Sequence, residues 1–132
     1  MAFLVEVERA FRAVQGLRSP VRARRGLSLI SPGKGIDVIL RVGIAFADDQ
    51  LTDEGRYVDT DLLAEQVQAC CDDLADRTWT ELFDFPPTFE LVARHVFERL
   101  SAGIAGLAYV ELKDKDFNVR TRYLPPGEPQ LG

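Results

Sequence analysis

The chain has 132 residues, enough for one domain to bury its own core without disulfide or metal staples. Its 16 basic and 21 acidic side chains leave a net charge of −5, which argues against a nucleic-acid-binding module. A single histidine (His95) and two adjacent cysteines (Cys70 and Cys71) argue against the common histidine-rich zinc sites and against any Cys–His cluster. Neighbouring cysteines bridge only under strain, so these two read as reduced, buried helix thiols in a reducing compartment. No stretch approaches the ~18 consecutive apolar residues of a membrane helix. The start MAFLVEVERAF carries Glu6 and Glu8 and no basic segment ahead of an apolar run, so it does not read as a signal peptide. The expected setting is cytoplasmic, with neither a membrane nor nucleic acid as partner.

Residues 3–14 alternate apolar and polar through Phe3, Val5, Val7, Phe11 and Val14, a strand pattern with a bulge expected near Ala10. Residues 16–35 hold Gly16, Pro20, Gly26, Pro32, Gly33 and Gly35 with Arg18, Arg22, Arg24 and Arg25, which reads as a long basic loop. Residues 36–47 give the clearest strand, with Ile36, Val38, Leu40, Val42, Ile44 and Phe46 on one face and Asp37 and Arg41 on the other. After an acidic connector (48–58), Leu62, Leu63, Gln66, Val67, Cys70 and Leu74 recur at helical spacing. Asp59 or Thr60 can cap that helix, and Asp61 favours its dipole. FDFPP (83–87) breaks the chain. Thr88 then caps a second helix bearing Leu91, Val92, His95, Val96 and Leu100, with Gly103 as its stop. Leu107–Lys113 and Phe117–Tyr123 alternate as two further strands around a DKD turn, and the tail from 125 to 132 is expected to fray. The order is ββααββ, with no repeat and no internal boundary, so residues 1–124 form one domain.

This order, with a long loop after the first strand, resembles the tunnelling fold (T-fold) of the 6-pyruvoyl-tetrahydropterin and 6-carboxytetrahydropterin synthase family. FRAVQGL (11–17) resembles the family's first strand end, and PGKGIDVILRV (32–42) resembles its His-Gly-His segment. GRYVDTDLL (55–63) and PPTFELVARHVFERL (86–100) resemble its two helix starts, the latter on Pro-Thr-x-Glu. YVELKD (109–114) resembles the strand carrying its pterin-anchoring glutamate. The resemblance implies an α+β T-fold: a four-stranded antiparallel sheet with two helices on one face, joining other copies edge to edge into a barrel. A homo-oligomer is implied, with trimers stacking into a hexamer and the ligand pocket between subunits.

The departures bear on chemistry. The family's three zinc histidines fall on Gln15, Lys34 and Ile36, its cysteine on Ile30, and its Asp-His pair on Thr78 and Trp79. Glutamine, lysine and isoleucine are not a zinc donor set, so no metal and no other cofactor is expected. What remains is the recognition end. Glu111 matches the family's ring anchor, a carboxylate that accepts two parallel N–H bonds from a pterin or purine-like edge. Alternatively it is a solvent-facing strand residue paired with Lys113 or Arg120. Thr88 and Glu90 match positions near the ring, or serve only as a helix cap and a dipole partner. Lys34, standing where a metal ligand would be, is the candidate catalytic residue, as a fixed charge or a desolvated acid–base group. The loop arginines with Lys34 either hold an anionic tail or are simply solvated. Lys113 resembles the lysine of the metal-free dihydroneopterin aldolases, without the proline that usually follows it. His95 and Trp79 read first as packing residues.

Two functions follow. One is a zinc-independent protein binding or converting a pterin or purine-like heterocycle, by lyase-, aldolase- or synthase-like acid–base steps if it is an enzyme. The other is a non-catalytic binding or assembly protein that kept the ring-shaped oligomer, possibly alongside an active paralogue. Burial of Trp79, Ile30 and Ile36 in the volume a substrate would occupy favours the second.

Overall fold

The computed structural model describes residues 2–17, 35–51 and 60–125. In chain order these form β1 (Ala2–Ala13), β2 (Ile36–Ala47), a 3-10 turn (Asp48–Gln50), α1 (Thr60–Leu74), α2 (Trp79–Leu82), α3 (Phe89–Ser101), β3 (Leu107–Asp114) and β4 (Val119–Tyr123). The strands make one sheet in the order β1-β2-β3-β4, every neighbouring pair antiparallel. This is the α+β architecture anticipated from the sequence. No helix among the described residues is long and apolar enough to cross a membrane.

β2 is the organising strand. Its period-two pattern sends Val38, Leu40, Val42 and Ile44 to the helix-covered face, where each is at most 1% exposed. Burying side chains of this size contributes about 1.5–3 kcal/mol apiece. They meet Leu63, Val67 and Leu74 of α1 and Val92, Val96 and Leu100 of α3 in one core cluster. Cys70 and Cys71 are free and buried in the same layer. Leu62, expected on the buried stripe of α1, is instead 43% exposed, because the stripe centres on Leu63 and Val67.

The bulge expected near Ala10 is absent. The β1–β2 register runs unbroken from Ala2↔Ala47 to Ala13↔Ile36. Phe3, Val5, Val7 and Phe11 keep one parity throughout; Arg9 interrupts the apolar run but not its phase. The register shift lies between β2 and β3, where Gly43 pairs Tyr109 and Ile44 pairs Leu107.

The short helix α2 was not signalled by periodicity. It is fixed by tertiary contacts: Trp79 N–H donates to Val14 O at 2.7 Å and its indole Nε1 to Leu74 O at 3.1 Å. Trp79 is fully buried, with its ring centroid 6.5 Å from that of Phe11 and 5.9 Å from that of Phe89. α3 begins as expected, with Thr88 Oγ1 accepting from Leu91 N at 3.2 Å. β4 starts two residues later than expected. Asp114 Oδ1 accepts from the N–H groups of Asp116 and Phe117, and Asn118 takes a positive φ of 56°, holding residues 115–118 in the turn.

Candidate functional site

The sheet's second face, turned away from the helices, collects the charged side chains. Cross-strand pairing sets Glu8 beside Arg41, Arg41 beside Glu111, and Glu111 beside Arg122, a row of alternating charge across all four strands. Glu111 is the one buried polar or charged residue among those described, with 2% exposure. Burying a lone carboxylate would cost several kcal/mol, so cations must accompany it. Arg122 donates to Glu111 Oε1 from Nη2 at 2.9 Å and from Nε at 3.3 Å. Arg41 Nη1 lies 3.7 Å from Oε2 and Arg120 Nε 4.0 Å from it, close enough for charge but beyond hydrogen-bond distance. Arg41 itself bonds Glu8 Oε2 through Nη2 at 2.8 Å and Nε at 3.1 Å. That hydrogen bond, opposed by desolvation and aided by the charges of Glu8, Glu111 and Glu6, holds the Arg41 guanidinium above its ordinary range.

Tyr109 forms the wall beside this row. It pairs with Gly43, and its ring lies over that glycine, where a Cβ would come within 2.6 Å of Cε1. Its hydroxyl donates to Glu6. The Arg122 guanidinium carbon stands 4.2 Å from the ring centroid. Glu111 and the Tyr109 ring thus flank a slot that the Arg122 guanidinium fills. Such a carboxylate can accept planar N–H pairs and discriminate against rings without them.

The other sequence candidates lie elsewhere. Thr88 and the exposed Glu90 belong to the start of α3, in the layer on the opposite face of the sheet from Glu111, so one chain does not bring the three together. Lys34, the arginines of the first loop and Ile30 lie outside the described residues. Gln15 Nε2 donates to Pro87 O at 2.9 Å, and Ile36 is 4% exposed within the core. A glutamine amide already engaged and a buried hydrocarbon do not fit a zinc ion. Among the described residues no group of three or more His, Cys, Asp or Glu side chains is placed to hold a metal. His95 packs edge-on against Phe83, with centroids 4.9 Å apart, and beside Phe85, at 5.9 Å. All three rings line a separate cleft of about 550 Å³ on the helix side. That Glu111 and Tyr109 share a face is legible from their parity. The approach of Arg41 and Arg122 to Glu111 is not, because it depends on register, which alternation alone does not determine.

A four-stranded antiparallel sheet covered on one face by helices is the architecture of the T-fold. The structure superposes on 6-pyruvoyl tetrahydropterin synthase from Caenorhabditis elegans with a TM-score of 0.74, covering 95% of this chain and 96% of that one at 20% sequence identity. Likeness at that identity establishes the fold. No protein-family model and no curated protein sequence matches the chain.

Proposed function

We propose that this chain is a zinc-independent T-fold protein that binds a pterin or purine-like heterocycle at a subunit interface, with Glu111 accepting the ring's N–H edge. The observation that carries this is the burial of Glu111, at 2% exposure, beside the similarly buried Tyr109 on the sheet face away from the helices. Arg122, Arg41 and Arg120 compensate its charge, and desolvation of the carboxylate is what would make N–H recognition selective. Thr88 and Glu90 would reach the ring only from a neighbouring copy, in keeping with a homo-oligomer, most simply a hexamer. Lys34 is the proposed acid–base group if the protein is an enzyme. Free, buried Cys70 and Cys71 suit a reducing, cytoplasmic setting.

The test is calorimetric titration with 2-amino-4-oxopteridine, with guanine, and with 2,4-dioxopteridine, which lacks the amino donor. Binding of the amino compounds alone, lost in Glu111→Gln, is expected. No binding of any ring, or equal binding by Glu111→Gln, would sink the proposal. Light scattering that gives only a monomer would remove the interface.

A second reading, a non-catalytic binding or assembly protein, is favoured by Trp79 and Ile36. Both stand where the resemblance puts reactive groups, and both are core residues at 0% and 4% exposure. Ring binding with no turnover of any pterin would select it over catalysis.

A further inference from the structure

The slot at Glu111 already holds a planar N–H donor, supplied by the chain. Two nitrogens of Arg122 meet Oε1, and the same guanidinium stands 4.2 Å from the Tyr109 ring centroid. Edge on a carboxylate and face on an aromatic ring is also how a 2-amino-4-oxo heterocycle would lie there. We infer that Arg122 is the tethered occupant of the Glu111–Tyr109 slot, and that a ring carrying adjacent N–H and amino donors enters by displacing it. This rests on Glu111 being the ring anchor.

Three features make Arg122 displaceable. It lies on β4, an outer strand of only five residues, next to the strand's last residue. Its side chain is 47% exposed, so it can swing into water without disturbing the core. Its departure leaves Glu111 charge-compensated, because Arg41 and Arg120 stay within 4.0 Å of Oε2.

The exchange also has a geometric basis. Arg122 spends both N–H bonds on Oε1, while the nearest nitrogens to Oε2 stand at 3.7 and 4.0 Å. An N–H and an adjacent amino group on a ring are spaced to reach both oxygens in parallel. The ring would exchange the arginine's two bonds to one oxygen for one bond to each, engaging Oε2, and a ring with one donor cannot repay the displacement. Arg122 thus acts as a specificity-determining residue, raising the threshold for entry.

The experiment measures dissociation constants for 2-amino-4-oxopteridine with the full chain, Arg122→Ala, Arg122→Gln and Glu111→Gln. Both Arg122 variants should bind roughly tenfold or more tightly than the parent, the worth of one charge-assisted hydrogen bond. Millimolar methylguanidinium should compete with the ring in Arg122→Ala and have no effect in the parent, a readout that a purely structural arginine would not move. Equal or weaker binding by both Arg122 variants, with binding still lost in Glu111→Gln, overturns the occupant and leaves the anchor standing. No binding by the parent or by either Arg122 variant overturns the anchor and the occupant together. Arg122→Gln keeps a polar side chain on β4 in case the alanine variant fails to fold.

Discussion

Gly43→Ala places a methyl group against the wall of the slot. The new Cβ would stand 2.6 Å from Tyr109 Cε1 and 3.0 Å from Cδ1 and Cζ. Carbon atoms normally settle near ~3.5 Å or beyond, so the ring must withdraw by roughly 1 Å. It has little room to do so. Tyr109 is 3% exposed, its backbone is paired with β2, its hydroxyl is bonded to Glu6, and Arg122 lies over the ring. Overpacking of this kind costs about 1–3 kcal/mol. The stiffer unfolded chain returns about 0.5–1 kcal/mol, for a net loss of up to about 2.5 kcal/mol. With 132 residues and about 2.1 cal/mol/K per residue, that lowers Tm by up to roughly 9 °C. Urea unfolding at fixed protein concentration, followed by the single tryptophan, gives the measurement. In a Tyr109→Ala background the same substitution should cost nothing or stabilise. Gly103→Ala is the control, since its Cβ would meet only Gln66 side-chain atoms at 3.6 and 3.7 Å. An equal cost of Gly43→Ala with and without the Tyr109 ring would refute the packing argument.

Trp79→Phe keeps an aromatic ring but loses the hydrogen bond to Leu74 O and part of the contact with Phe11 and Phe89. A loss of about 1–3 kcal/mol is expected by thermal unfolding, and an unchanged Tm would show that the indole is not what fixes α2. Thr88→Ala should cost about 1 kcal/mol and Thr88→Ser much less, because the hydroxyl caps α3. If ring binding falls with Thr88→Ala but not with Thr88→Ser in a stably folded oligomer, the hydroxyl also meets ligand. Burial, with smaller contributions from Cys70 and Asp72, pushes the Cys71 thiol up from 9.0 to about 12. The folded state therefore keeps a proton that the unfolded state releases. Stability is full below pH 9 and falls as pH rises toward 12. Urea midpoints at pH 8 and 10 should show the decline and Cys71→Ala should reduce it; identical slopes would place its origin elsewhere.

Much of the fold was legible because β2 states its phase at every second residue from Ile36 to Phe46. α3 was equally plain, with a capping threonine ahead of a clean stripe. α2 was not, since four residues carry no period and its position is set by Val14 and Leu74, both outside the helix. The register shift between β2 and β3 does carry a signal: Gly43 is an isolated glycine inside a strand, a common mark of a bulge or close approach. For Glu111, the face of the sheet is legible from alternation and the surroundings are not. Its arginines come from β2 and β4, and their convergence is a property of three strands in register rather than of any one segment.

Among the described residues the sheet has four strands, all alternating in direction, so β1 and β4 run opposite ways. A second copy that sets its β1 against this β4 extends the alternation without a parallel joint, and so does every copy after it. With three or five strands, the same head-to-tail step would make each joint parallel. Parity thus leaves the subunit free to propagate a purely antiparallel ring. The two outer strands differ in length, however: β1 has 12 residues and β4 has five. The shorter strand limits each joint, so any such ring would draw the rest of its cohesion from side chains and loops beyond the shared backbone ladder.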